Sequence, residues 1–518
     1  MKRIQFKLDF DQNIEEYLKK EIPSLKDYRI ISQSLDARGA PRGRKPVYLY
    51  IVEYSEIGDK NSAHEVKYPK VEPFLKKPII IGAGPCGLYA ALRFAEYGVP
   101  VLLFERGEEA NKRMIHISKF WRYGEFNPES NVCYGEGGAG LFSDGKLITR
   151  VKSEYIPYVM KKFVEFGAPP EVAYTSNPHL GSNKIRSIIS KMSEYLRKSG
   201  SEIFYNTKIE KLIFEGTKIV GVETSKGEKY FSDHVILATG HSAHEMYYHL
   251  LEQNVSMKNK DFAVGVRVEH PRQEVDKMQH GQWSESEILG AARYRLSWHD
   301  DSLDIGTYSF CMCPGGYVLS SGTEADGLVS NGMSNYARNS PWSNSALVVS
   351  VKTNQLSSQE LLIGLKFQRE IEHKAFVYSK KNANGKELPA QKVKDFLSKK
   401  MTDPKQLPLT SCPSKIVSSN LYELLPKFIT SHLQEALKQF DKMMKGFISE
   451  NALFIAPETR TSAPVSILRN HETYESLSHQ GLYPCGEGAG HAGGITSAAV
   501  DGVKVAMSIL KKERGVIQ

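Results

Sequence analysis

Residues 79–105 read IIIGAGPCGLYAALRFAEYGVPVLLFE, and no other stretch constrains the fold as tightly. Ile79, Ile80 and Ile81 are β-branched and apolar, as a buried strand requires. Gly82, Gly84 and Gly87 follow at the G-x-G-x-x-G spacing. An amphipathic helix comes next, then a second apolar strand over 99–104 that ends on Glu105. Gly82 permits the tight turn out of the strand. Gly84 has no Cβ to obstruct a pyrophosphate, and Gly87 lets helix and strand pack closely. The helix N-terminus, opened by Pro85, offers free N–H groups and positive dipole to phosphates. Glu105, followed by Arg106, can accept hydrogen bonds from ribose hydroxyls. Strand, glycines, helix, second strand and acid together predict an adenine dinucleotide site.

The chain of 518 residues is long enough for two or three domains. Its 41% hydrophobic and 25% charged content is that of a soluble globular protein. No apolar run approaches the ~20 residues that span a bilayer. The opening MKRIQFKLDFDQ lacks the apolar core of a secretory signal, so the expected location is cytoplasmic. Six cysteines are too few for a disulfide scaffold at this length. The net charge of +9 is a mild preference for acidic partners, nucleic acid included.

The pattern along the chain predicts four segments. Residues 1–74 form a small α/β unit, with a strand alternating through Ile4, Phe6, Leu8 and Phe10, a helix over 15–20, and strands over 28–34 and 47–54. Between those last two lies DARGAPRGRK, which carries Arg38, Arg42, Arg44 and Lys45 on a loop. A polar stretch over 58–77 links this unit to residues 75–261, the first part of the dinucleotide domain. Residues 262–454 read as an inserted α+β domain with helices over 358–377, 421–428 and 432–447. Residues 455–518 return to strand, Gly-rich turn and helix, closing the dinucleotide domain. The fold class is therefore α/β: a discontinuous Rossmann-like domain, an inserted α+β substrate domain and a small N-terminal α/β domain.

Two segments, the strand end at Ala238–Gly240 and the C-terminal turn at Gly486-Glu487, decide which dinucleotide is bound. The strand before Ala238-Thr239-Gly240 ends on small residues that can pass beside it. The Gly-rich run 131–150, NVCYGEGGAGLFSDGKLITR, places Gly137, Gly138, Ser143 and Asp144 for close approach. Near the C-terminus, Gly486-Glu487 and then Gly494, Ile495 and Thr496 open a helix. The strand end and the C-terminal turn resemble the FAD motifs of glutathione-reductase-type proteins, and the run 131–150 and Ile209 of the strand 209–214 are added to the expected contacts. That resemblance implies a late Gly-Asp facing the ribityl chain and a helix N-terminus at the flavin's N1 edge. Here Glu487 stands where that family usually has Asp. FAD is the expected cofactor. No separate NAD(P) domain is read from the sequence, so an NADH or NADPH donor would have to dock transiently.

The segments SLDARGAPRG, VCYGEGGAGLFSDGKL, KDFAVGVRVEH, YSFCMCPGGYV, PETRTSAPVSILRN and LYPCGEGAGHAGGITSAAVDG carry a nearer resemblance. Across nearly its full length the chain resembles the NAD(FAD)-utilising dehydrogenase family of flavoproteins. The resemblance implies bound FAD, an inserted substrate domain and an N-terminal α/β module, but no particular substrate.

Candidate catalytic residues are Lys146, Arg460 and His491. Lys146 could place positive charge near the flavin and Arg460 could clamp a carboxylate or phosphate. His491 in the flavin turn could act as an acid, and Arg469 is a weaker candidate. Cys311-x-Cys313 before Pro314-Gly315-Gly316 raises a redox pair, but in a regular strand its spacing makes an unstrained disulfide difficult. The expected reading there is an apolar strand entering a turn, and no metal site is expected. The expected function is an FAD-dependent oxidoreductase acting on a small organic substrate. The alternatives are a flavin-dependent RNA-modifying enzyme, suggested by the Arg-rich loop, and a non-catalytic redox sensor or scaffold. Oligomeric state is not legible.

Overall fold

The computed structural model describes residues 2–57, 59, 68–72 and 74–516, so much of the expected linker over 58–77 lies outside the described residues. The chain builds its dinucleotide domain around a five-stranded parallel sheet. Its order is Leu482–Pro484, Val235–Leu237, Ile79–Ile81, Leu102–Phe104 and Glu202–Phe204. The three central strands are almost wholly apolar, as a parallel sheet covered on both faces demands. The edge strand Leu482–Pro484 arrives from the far end of the chain and pairs with Val235–Leu237. One sheet is thus completed across the intervening domain.

Helix Pro85–Glu96 follows the first strand, and helix Ile495–Arg514 packs against it. Gly502 allows that contact: a Cβ there would lie 2.1 Å from the carbonyl oxygen of Cys86. Before the sheet resumes at Val235, an antiparallel meander runs through Ile209–Glu215, Lys218–Thr224 and Lys229–Phe231.

The second large unit is a seven-stranded sheet. Its order is Ser297–Asp300, Ile305–Cys313, Trp342–Val351, Phe262–Pro271, Leu453–Glu458, Leu388–Lys392 and Ile416–Ser418. Helix Lys427–Met443 buries Ile429, Leu433, Ala436, Leu437 and Phe440 in its core. The expected boundary at 454 falls inside the strand Leu453–Glu458, which is internal to this sheet and continues to Glu458. The physical reason is Arg267 on the neighbouring strand, which pairs with the buried Glu458 and allows a carboxylate to end an interior strand. The helices expected over 421–428 and 432–447 are Leu421–Leu424 and Lys427–Met443, parted at Pro426, which lacks the N–H that would continue the first.

Residues of the N-terminal unit form a three-stranded antiparallel sheet, Lys2–Asp9, Val47–Glu56 and Leu25–Asp36 in that order, under helix Ile14–Glu21. Asn13 caps this helix by accepting from the N–H groups of Glu15 and Glu16. In the Arg-rich loop, Arg38 pairs with Asp36, and Lys45 with Asp9 and Asp11.

Candidate active site

A cavity of about 390 Å³ opens at the C-terminal ends of the parallel strands, between the dinucleotide domain and the seven-stranded sheet. This is where ligands bind in open parallel sheets. Gly82, Gly84, Pro85 and Glu105 line it, with Ala238, Thr239 and Gly240 from the next strand and Gly494 and Ile495 from the last helix. The three fingerprint glycines have separate roles. Gly82 has φ +105° and faces the carbonyl of Ala238 so closely that a Cβ would sit 2.4 Å from its oxygen. Gly87 does not line the cavity; a Cβ there would fall 2.0 Å from the Gly82 oxygen, so it serves helix packing. At Gly84 the nearest protein atom to a Cβ is 4.0 Å away, and the open side is the cavity.

Two helices present N-termini without side-chain caps to this space, Pro85–Glu96 behind Gly84 and Ile495–Arg514 behind Gly494. Their first N–H groups and dipoles suit an anion. A cradle left open at Gly84, with nothing within 4 Å of a Cβ at Gly240 or Gly494, has the form a dinucleotide needs.

Glu105 is buried at the cavity wall. One carboxylate oxygen accepts from the Ala83 N–H at 2.9 Å. The other accepts from Gly107 at 3.0 Å and Gly135 at 2.9 Å. Glu105 therefore ties three loops together as well as presenting remaining lone pairs to the cavity. Arg106 also lines it, stacked 4.0 Å from the Tyr134 ring centroid and paired with Glu129 and Glu245. Ile209, Gly138 and Ser143 reach the cavity, whereas Gly137 donates to the Ala83 carbonyl behind it.

The remaining expected residues divide. Asp144 reaches the cavity wall but is gripped bidentately by Arg338 and accepts from Ser334. Burial opposes its ionisation, yet Arg338 and Lys146 hold it below the ordinary carboxylate range. Lys146 lines the cavity and donates to the carbonyl of Met312. Arg460 also lines it, but Nε and Nη2 bind Glu372 at 2.9 and 2.8 Å, Nη2 binds Glu324 at 2.5 Å, and Nη1 binds Thr323. Gly486 donates to Asp501, itself paired with Arg469, and Thr496 donates to the Leu147 carbonyl at 2.7 Å. His491 bonds the Ile467 carbonyl at 2.9 Å and lies outside the lining, so it is held as a structural residue.

Glu487 reaches the lining with no side-chain hydrogen bond to protein. Burial lifts its carboxyl to about 7, against the pull of Lys260 and with Cys311 adding to the rise. A carboxyl raised in the folded state binds more protons there than in the unfolded chain between pH about 4.5 and 7, so stability falls across that window. In the apoprotein, Glu487→Gln is expected to melt with wild type near pH 4 and increasingly above it up to pH 7. Melting curves across pH check this; a gap that closes with rising pH would show the carboxyl is not raised.

Several lining residues carry no spacing signal. His241 follows Gly240, and burial, with Arg460 and His244 adding, pushes its imidazole to about 3, so it is neutral. Phe310, Cys311, Asn331 and Glu458 come from the seven-stranded sheet and its neighbouring hairpin and form the opposite wall. The Glu458 oxygens accept from Arg267 at 2.7 and 2.9 Å.

Residues 76–269 match the pyridine nucleotide-disulphide oxidoreductase family, and residues 261–461 match the C-terminal domain-like family of FAD-dependent proteins. An uncharacterized protein of Clostridium beijerinckii is 41% identical over 441 residues, covering 85% of this chain and 82% of its own. This chain belongs to the same family of FAD-dependent flavoproteins. FAD is the cofactor of this flavoprotein, and the open cradle at Gly84, Gly240 and Gly494 fits it. Among solved structures, CtdE in complex with FAD is 11% identical, covering 84% of each chain with a TM-score of 0.31. The E. coli quinol fumarate reductase FrdA E245Q structure is 10% identical, covering 86% of this chain and 72% of its own, with a TM-score of 0.39. Superpositions that loose bear on neither substrate nor reaction. No helix among the described residues is long and apolar enough to cross a membrane.

Proposed function

We propose that this flavoprotein passes electrons between bound FAD and a small organic molecule admitted between its two large units. The observation that carries the reading is the shared cavity. One wall has the dinucleotide cradle, and the other brings Phe310, Cys311 and Asn331 from a different sheet. Gly82, Gly84, Pro85 and Glu105 would hold the adenosine and pyrophosphate half. Ala238, Thr239, Glu487 and the N-terminus at Ile495 would hold the remainder. Flavin, when bound, supplies hydride and electron transfer that no side chain provides.

The protein's own groups then bind and orient. Lys146 puts positive charge on the cavity wall, which favours an anionic partner or a reduced, negatively charged cofactor. Arg460 is pre-set by Glu372 and Glu324, so it shapes the wall while keeping one N–H direction of Nη1 for a substrate oxygen. NADH or NADPH is the proposed reductant, docking transiently.

Purified protein is expected to be yellow and to release FAD on denaturation. Anaerobic NADPH or NADH is expected to bleach the flavin band within seconds to minutes. Protein that neither carries nor rebinds FAD overturns the reading. Bound FAD that no nicotinamide reduces overturns the proposed donor alone.

A further inference from the structure

The strand Ile305–Cys313 slips register against Trp342–Val351 just before its end. Phe310 faces Ala346, but Cys313 faces Asn344, so Cys311 and Met312 together oppose a single residue. This is a β-bulge, and bulges re-aim side chains beside functional sites. Cys311 sits in the left-handed region at φ +46°, which non-glycine residues seldom adopt. Its position lines the cavity, whereas Cys313 is buried.

In a straight strand, residues two apart stand roughly 6.6 Å apart. That is close to the upper limit of about 6.8 Å for Cα atoms in a disulfide. A bulge bends its strand and so takes the pair out of straight-strand geometry. Cys313 Sγ already turns back to the Cys311 carbonyl oxygen, 3.3 Å away. Two cations brace the same bend. Arg267 donates to the Cys311 carbonyl at 3.3 Å, and Lys146 to that of Met312. The hydrogen bond with Cys313 draws the Cys311 thiol below its ordinary value against the effect of burial, with Arg267 and Lys146 helping. Low-lying thiols in cationic surroundings are the reactive ones.

We propose that Cys311 and Cys313 are a redox-active pair that exchanges two electrons with the flavin held in this cavity. The proposal rests on the FAD reading above. In the reducing direction, the S–S bond breaks as it accepts two electrons from reduced flavin, and two protons from flavin and solvent complete the two thiols. In the oxidising direction, both S–H bonds break, the S–S bond forms, and oxidised flavin takes the electron pair and protons. Cys311, facing the cavity and the cations, carries the charge, and Cys313 resolves it from the buried side.

The test uses the full-length holoprotein under anaerobic conditions. Titration with dithionite is expected to take two more electrons per flavin in wild type than in Cys311→Ser or Cys313→Ser. The comparison separates this pair from Cys86 and Cys485, whose sulfurs lie 2.9 Å apart. Independently of any variant, denaturing alkylation and peptide mapping of oxidised wild type should find Cys311 and Cys313 joined, and of reduced protein both alkylated. Equal electron counts in flavin-replete proteins, or two free thiols in oxidised wild type, overturn the pair and leave the FAD reading standing. Protein without flavin overturns the FAD reading instead, and the peptide map then decides whether the cysteines pair.

Discussion

Gly84→Val is expected to give a folded protein without flavin, and Gly87→Ala a protein that does not fold stably, although the two positions are one helical turn apart. At Gly84 the backbone is extended, with φ −78° and ψ −177°, which valine adopts without strain. The nearest protein atom to a Cβ there is Gly138 Cα at 4.0 Å and the open side is the cavity, so the apoprotein has room for a Cβ. The space it takes is the space a pyrophosphate needs. Loss of contacts worth about 3 kcal/mol lowers affinity roughly a hundredfold, and a steric block should exceed that. At Gly87 even one methyl group would lie 2.0 Å from the Gly82 carbonyl oxygen and 3.1 Å from Ile80 Cγ2. The first contact is backbone on backbone and cannot relax by a rotamer change, so the cost lies beyond the ~1–3 kcal/mol of ordinary overpacking. The flavin-to-protein absorbance ratio and a circular-dichroism melt separate the two outcomes. Normal flavin content in Gly84→Val would mean the cradle has been misassigned.

Much of this site was legible because a dinucleotide fingerprint is local: strand, turn and helix N-terminus are contiguous, and each glycine has a nearby cause. Ala238–Gly240 and Gly494–Ile495 were legible for the same reason, each being a strand end or helix start. What was hidden depends on partners distant in the chain. Asp144 reads as a cofactor residue in a Gly-rich loop, but its partner Arg338 is 194 positions away. Arg460 reads as a substrate clamp, yet Glu372 and Glu324, 88 and 136 positions away in the chain, hold it in place. The bulge at Cys311 is a mismatch between two strands and has no signature in either one alone. Glu458 likewise reads as the exit from a strand until Arg267 is seen beside it.

Arg113 is the sharpest example, and Arg113→Met is expected to be among the most damaging substitutions outside the fingerprint. It opens the helix Arg113–Tyr123 and is fully buried, though nothing about its spacing distinguishes it from a solvated arginine. Nη1 donates to the carbonyls of Gly135, Glu136 and Gly138 at 3.1, 2.7 and 3.0 Å. Nη2 donates to those of Asn131 and Val132 at 2.7 and 3.0 Å. The guanidinium thus folds the loop 131–138 around itself and lies 4.9 Å from the Phe142 ring centroid. Burial lowers its pKa to about 10, still far enough above neutrality to keep the charge. Gly135 must be glycine to admit it: φ is +122°, and a Cβ would meet Arg113 Nε at 2.7 Å. Methionine fills similar volume but leaves the carbonyls of Asn131, Val132 and Glu136 without a donor, whereas those of Gly135 and Gly138 keep the N–H groups of Gly138 and Leu141. At about 1 kcal/mol for each unsatisfied group, the low end of the usual range, the loss is about 3 kcal/mol. That predicts a fall in Tm of roughly 6–10 °C. Because the same loop delivers Gly138 to the cavity and Gly135 to Glu105, flavin content should fall with it. Lysine at 113 keeps the charge but offers only three donors, and should recover part of both. Melting with and without added FAD, together with amide exchange over 131–142, separates a loosened loop from a lost contact. Arg113→Met protein with native exchange in that loop would show that the glycine-rich segment holds its shape unaided.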